Sequence, residues 1–215
     1  MSLDEELCKD RFFSPQAAKQ YSQKLVGSAR DRREKRCIQR AMEYISLLPG
    51  AAILDIPCGT GRISYFLADL GYRVIAADYS PAMIEMAKRV STSSSLIRWE
   101  VEDIFSLSYP SESFPLIVCN RLFHHFTQAS TRRRALLELA RVSQRYVIFS
   151  FFWSFSFSGF RFFLRRCFGC ADLRDRVPIS LHRMREDLEG ANLRIVKIFP
   201  TRPFLSAQTY LLVEK

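Results

Sequence analysis

Two carboxylates in the first half of the chain sit where they could do chemistry. The stretch Ile53-Leu54-Asp55-Ile56-Pro57-Cys58-Gly59-Thr60-Gly61-Arg62 ends an apolar run in an acid and follows it with a glycine turn. A second acid, Asp78, ends the next apolar run, Tyr72 to Ala77. Gly59 and Gly61 can take positive φ and have no Cβ, so backbone there can approach a ligand closely. A carboxylate at Asp78 can accept hydrogen bonds from both hydroxyls of a ribose. The usual dinucleotide fingerprint, Gly-x-Gly-x-x-Gly, brings a pyrophosphate to a helix N-terminus. Here Ser64 occupies the third position and Asp55 precedes the turn. A carboxylate at that point suits an ammonium group better than phosphates.

The elements that must position these groups are legible. Strands are expected at 51–56, 72–77, 96–101, 115–120 and 145–152, with helices at 60–70, 81–90 and 128–142 between them. Such alternation implies right-handed crossovers and a parallel sheet. Ser180 should cap a helix ending near Gly190, followed by strands at 192–199 and 206–213, with a hairpin turn at Pro200 to Pro203. Ser14-Pro15 reads as a helix start. A helical segment is expected from there to Leu48, with a break at Gly27-Ser28. Ile38, Met42 and Ile45 would face the sheet, and Arg32, Arg33, Arg36 and Arg40 would point elsewhere. The ligand edge of such a sheet is its C-terminal edge.

Several motifs together resemble the class I S-adenosylmethionine-dependent methyltransferases. Asp55 to Arg62 is similar to the family's first motif. Asp78 with Tyr79-Ser80-Pro81-Ala82-Met83 resembles the second, where the acid binds ribose and the next side chain lies along the adenine. Glu102-Asp103-Ile104 resembles the third, where the acid faces the adenine amino group and the following amide faces a ring nitrogen. Phe114 to Asn120 resembles the fourth strand, with Pro115 where many members carry an acid. The loop Ala140 to Tyr146 lacks the family's Lys-Pro-Gly-Gly turn.

The resemblance implies an α/β fold. It would be a doubly wound, mostly parallel seven-stranded sheet whose antiparallel last strand is inserted between the fifth and sixth. A helical cap at 1–49 would precede a Rossmann-like domain at 50–215, with an insertion or lid at 153–180 after strand five. S-Adenosylmethionine is the implied cofactor and S-adenosylhomocysteine the product. Its binding residues would be Asp55, Pro57, Cys58, Gly59, Gly61, Arg62, Asp78, Tyr79, Ser80, Met83, Glu102, Asp103, Ile104, Asn120 and Arg121.

Methyl transfer from a sulfonium is an in-line displacement that calls for alignment and exclusion of water, without a metal or a covalent intermediate. A hydroxyl acceptor also needs a base. Asn120-Arg121-Leu122-Phe123-His124-His125-Phe126 follows the fourth strand, and histidine is the side chain matched to neutral pH. The resemblance favours His125 over His124 as that base; a histidine that only packs beside the methionine moiety is the competing reading. Arg121 could hold an anionic substrate group, or pair with Asp103 or Glu102. His182 reads as a surface or lid residue.

Composition narrows the partners. The chain has 215 residues, six cysteines and a net charge of +10. The acidic start, Met1 to Glu6, is unlike a secretory signal. No apolar run reaches the ~20 residues of a membrane helix. A cytoplasmic protein, peripheral at most to the inner face of a membrane, is expected. Cys167 and Cys170 form a lone Cys-x-x-Cys without matching partners for zinc. Arginines cluster at 30–40, 132–134 and 161–166, which suits solvated helix faces, nucleic acid or an anionic membrane.

Residues 153–168 read as an extended piece with alternating Trp153, Phe155 and Phe157, then a short basic amphipathic helix after Gly159. Packing on the protein's own core, a dimer contact, an apolar substrate pocket and a membrane contact all fit that pattern. A small or lipid-like acceptor is expected, methylated on oxygen or carbon. The alternatives are an RNA methyltransferase, with nucleic acid the less favoured partner, and a non-catalytic S-adenosylmethionine-binding protein. The oligomeric state is not legible.

Overall fold

The computed structural model describes residues 27–90, 95–168 and 177–215. The elements, in chain order, are α1 (Ala29–Met42), β1 (Ala52–Asp55), α2 (Arg62–Asp69), β2 (Arg73–Asp78), α3 (Pro81–Val90), β3 (Ile97–Val101) and β4 (Phe114–Cys119). After a 3-10 turn at Phe123–His125 come α4 (Ala129–Val142), β5 (Ser143–Phe152), α5 (Phe157–Cys167), α6 (Leu181–Glu189), β6 (Arg194–Pro200) and β7 (Gln208–Glu214). The sheet is seven-stranded in the order β3-β2-β1-β4-β5-β7-β6. Strand β7 runs antiparallel to both its neighbours, and the other pairings are parallel. The expected topology is therefore the observed one.

Strand alternation sorts the core into two layers. Ile53, Val74, Ala76, Leu116, Val118, Ile148 and Leu212 meet Ile38, Met42, Ile63, Leu67 and Ile84 of α1, α2 and α3. Leu54, Ile117, Val147, Phe149, Leu211 and Val213 face the other way, against Leu136 and Leu139 of α4 and Met184 and Leu188 of α6. Burying both faces is what a parallel sheet needs.

Local signals set the helix ends. Ser28 caps α1, its side chain accepting from the Asp31 amide at 3.1 Å, so the expected break at Gly27-Ser28 is a helix start. Ser180 caps α6 in the same way, accepting from Arg183 at 3.3 Å. Helix α4 passes into β5 with no intervening loop, which accounts for the missing glycine turn. Pro115, which has no N–H to give, coincides with a register shift between β4 and β5.

The reading of 153–159 as extended is corrected. Strand β5 ends at Phe152, Trp153 forms an isolated bridge to Ile179 and donates its amide to the Ala207 carbonyl at 2.7 Å, and α5 begins at Phe157. Ser156 is the reason: its hydroxyl accepts from the Gly159 amide at 3.0 Å and its carbonyl from Phe160 at 2.8 Å. A serine in the alternating pattern thus starts the helix. The expected helix start at Ser14-Pro15, and Cys170 of the Cys-x-x-Cys, lie outside the described residues.

Candidate active site

The glycine bend and the acid at the end of β2 are bonded to each other. The Gly59 amide donates to Asp78 Oδ2 at 2.8 Å, and the Ser80 amide to Asp78 Oδ1 at 2.9 Å. The Cys58 amide donates to the Ala77 carbonyl at 2.8 Å, which closes the bend onto β2. Ser64 Oγ donates to Asp55 Oδ2 at 2.6 Å. The other oxygen, Asp55 Oδ1, is buried and has no hydrogen-bond partner among the described residues.

Burial dominates the electrostatics here. It pushes the Asp55 carboxyl up to about 7, against the Ser64 hydrogen bond and the Arg62 charge that favour the anion. It pushes Asp78 up to about 6, against the two amides. The Cys58 thiol is likewise raised by burial and by both carboxylates, so it packs as a neutral group. Two carboxylates held in a dry bend seek a cation or hydrogen-bond donors.

Gly61 opens α2 at φ +77°, and a Cβ there would fall 2.5 Å from the Trp99 ring. The glycine is thus required twice, by backbone conformation and by contact. Beyond Asp78, Tyr79 is 40% exposed while Ser80 and Met83 are buried. Pro57 is half-buried beside the bend.

Strand β3 supplies the third group. Asp103 Oδ1 accepts from the Phe105 amide at 3.0 Å, and Ile104 is buried. Glu102 accepts from the Ser108 amide at 3.0 Å and from its hydroxyl. It lines a cleft of about 640 Å³ at the β3 edge, with Arg98, Trp99 and Tyr109. The structure brings Asp55, Asp78 and the glycines together, with Asp103 two residues past the β2–β3 ladder, and engages Glu102 with Ser108.

The residues that sequence reasoning missed come from α1. Asp31 and Glu34 are buried at 3% and 0% exposure. Arg62 Nη1 lies 2.5 Å from Asp31 Oδ1, and Nη2 contacts Glu34 Oε2. Arg121 Nη1 reaches Glu34 Oε1 at 3.0 Å, a partner outside the two that the sequence suggested. Burial alone would raise Asp31, but the Arg62 guanidinium, the Gly27 amide and Lys35 together hold it below its ordinary value. Asn120 joins the network, Oδ1 accepting from the Tyr210 hydroxyl at 2.7 Å and from Ser150 Oγ at 3.3 Å, Nδ2 donating to Glu34 at 3.4 Å. The available signal was position. Asp31 and Glu34 fall on the same stripe as Ile38 and Ala41, and an acid on an apolar stripe needs a buried cation.

The histidines are set apart by their surroundings. His124 is buried and stacks on Phe152, with centroids 4.2 Å apart and planes 7° apart. His125 is half-buried, its ring 4.1 Å from that of His124. Phe123 and Phe126 anchor the turn in the core. Arg132 supports the loop from below, bonding Asp187 at 2.6 Å and the carbonyls of Phe126 and Thr127 at 3.2 and 3.1 Å. His182 is exposed, 3.6 Å from Glu186.

Residues 53–145 match a family model described as a methyltransferase domain. A ubiquinone biosynthesis O-methyltransferase of Xanthomonas campestris pv. campestris is 31% identical over 105 residues, 46% of this chain and 44% of that protein. A probable tRNA methyltransferase 9B of Homo sapiens is 31% identical over 94 residues, 44% of this chain and 19% of that protein. The chain therefore spans less than half the length of these curated relatives. The fold is similar to that of magnesium protoporphyrin IX methyltransferase from Synechocystis PCC 6803, solved with bound S-adenosylhomocysteine. The TM-score is 0.76, with 16% identity and 99% of each chain covered.

Proposed function

We propose that the chain is a class I S-adenosylmethionine-dependent methyltransferase and that it transfers a methyl group in line, without a metal, to an oxygen or carbon of a small or lipid-like acceptor. The observation that carries this reading is Asp55 Oδ1, a buried carboxylate oxygen beside a glycine bend, lacking a donor among the described residues. The α-ammonium of a methionine moiety would supply that donor and the compensating charge. The donor set fits the cofactor in a second respect. The Asp78 oxygens each take one amide and retain lone pairs for two ribose hydroxyls.

S-Adenosylmethionine supplies an electrophilic methyl group on a sulfonium. The chain's own part is to hold and to shield. Asp55 would hold the ammonium and Asp78 the ribose hydroxyls, with Tyr79, Asp103 and the Ile104 amide left to hold the adenine. Gly59 and Gly61 let the backbone close on the ligand. Glu34, acting through Arg62 and Arg121, fixes the first turn of α2 and the loop after β4. His125, the more accessible of the two histidines in the turn after β4, takes the proton of an acceptor hydroxyl, and His124 positions it.

A small acceptor is supported by the relative named for ubiquinone biosynthesis, matched over 44% of its length, while the relative named for tRNA is matched over 19% of its length. The middle arginine cluster also speaks against a phosphate track. Arg132 is spent on Asp187, Arg133 bonds the same carboxylate at 3.0 Å, and Arg134 lies over Phe105.

The test is calorimetric titration with S-adenosylmethionine, followed by mass spectrometry of S-adenosylhomocysteine formed with phenolic, quinone-like and lipid acceptors. Tight binding with no product on any acceptor would leave a non-catalytic binding protein. Product on RNA alone, lost steeply with salt, would reverse the choice of acceptor. With a hydroxyl acceptor, His125→Ala should cost roughly 10²–10⁴ in kcat with cofactor affinity unchanged.

A further inference from the structure

Helix α5 is amphipathic with its apolar stripe turned outward. It is seated through Gly159, which is buried and where a Cβ would meet the Ser154 carbonyl oxygen at 2.2 Å. Phe157, Phe160, Leu164 and Phe168 fall on the opposite side, and all four are exposed. Arg161 and Arg165 are exposed along one flank of that stripe. A helix that packs on its own domain buries its stripe; this one presents it to solvent.

A second segment joins the same face. The Phe157 amide donates to the Phe204 carbonyl at 2.7 Å, and Ser158 Oγ to the Leu205 carbonyl at 2.8 Å. These bonds tie the start of α5 to the loop between β6 and β7. That loop carries Phe204 at 75% and Leu205 at 58% exposure, beside exposed Arg202. Two stretches of chain remote in sequence thus form one apolar surface edged with guanidinium groups.

We propose that α5 and the β6–β7 loop form a docking surface for an anionic lipid bilayer. Charge complementarity selects that occupant. Phenylalanine and leucine enter the acyl boundary while arginines meet lipid phosphates, and the two contributions together give an anchoring that neither gives alone. The net charge of +10 acts in the same direction. A second copy of the chain meeting this face would bring like-charged arginines together. Strand β5 ends at Phe152 and α5 begins at Phe157, and His124 stacks on the Phe152 ring, so an acceptor drawn from the bilayer would arrive beside the histidine turn. This deepens the lipid-like reading of the acceptor above, but membrane binding is measured without catalysis and stands or falls separately.

The full chain is sedimented with vesicles of phosphatidylcholine alone and of phosphatidylcholine with three tenths phosphatidylserine. Binding to the anionic vesicles, weakened at least tenfold in F160S/L164S/F204S, is expected. R161E/R165E should lose the preference for anionic vesicles. Circular dichroism and S-adenosylmethionine titration, both unchanged, establish that the variants are folded and leave the cofactor site intact. Failure of the wild type to bind either vesicle overturns the proposal. So does undiminished binding by the triple variant, or a dimer in light scattering that the triple variant dissociates.

Discussion

Glu34 Oε1 lies 3.0 Å from Arg121 Nη1, although the residues are 87 positions apart. The same carboxylate contacts Arg62, whose guanidinium also holds Asp31. One acid on the N-terminal helix therefore ties down both the first turn of α2 and the loop after β4.

Replacing Glu34 should expose the weight of that joint. Glu34→Gln leaves two buried guanidiniums short of a counter-charge, and breaking a buried pair in this way costs about 3–5 kcal/mol. Urea unfolding is the measurement. A loss below about 1 kcal/mol would mean that the network is not buried in solution.

Cofactor affinity should depend on pH through Asp55. Burial raises its carboxyl to about 7, and an ammonium binds the anion. Affinity is therefore expected to fall as pH drops below about 7, approaching tenfold per unit at lower pH. Asp55→Asn should bind weakly and lose this part of the dependence in calorimetric titration.

Stability should respond with the opposite sense. A carboxyl raised above its unfolded value contributes stability at low pH that is lost as pH rises, here between about 4 and 7. Without cofactor at pH 8, Asp55→Asn should therefore be more stable than wild type by about 1–3 kcal/mol. At pH 4 the difference should vanish. Thermal unfolding across that range checks the sign.

Gly61→Ala combines left-handed strain with a clash on Trp99. The backbone part alone costs roughly 1–2 kcal/mol. Displacement of the Trp99 ring should shift its fluorescence, read in a Trp153→Phe background because the chain has two tryptophans.

Arg132 and Arg134 should separate cleanly. Arg132→Ala leaves Asp187, buried at 1% exposure, with Arg133 as its one cation among the described residues and should cost about 3–5 kcal/mol. Arg134→Ala removes a cation–π contact with Phe105 and should cost about 0.5–1 kcal/mol. Chemical denaturation of both variants tests the contrast.

Much of the architecture was readable along the chain. Apolar runs ending in Asp55 and Asp78, the glycine turn, and Ser180 as a cap are local signals, and they set element boundaries to within two or three residues. Serine between aromatics at 153–158 misled because a period of two looks the same whether serine faces solvent or caps a helix. The buried ion network left only the trace of two acids on the apolar stripe of α1.

Spacing by itself determined the order of strands and helices and the place of the carboxylates, because periodicity and turn chemistry act over a few residues. Only the tertiary structure decided that Glu34 answers Arg62 and Arg121, that Glu102 is engaged by Ser108, and that α5 shows its apolar stripe to solvent. Those outcomes depend on which surfaces meet when distant segments pack, and helical periodicity does not say on which side of a helix the rest of the protein will lie.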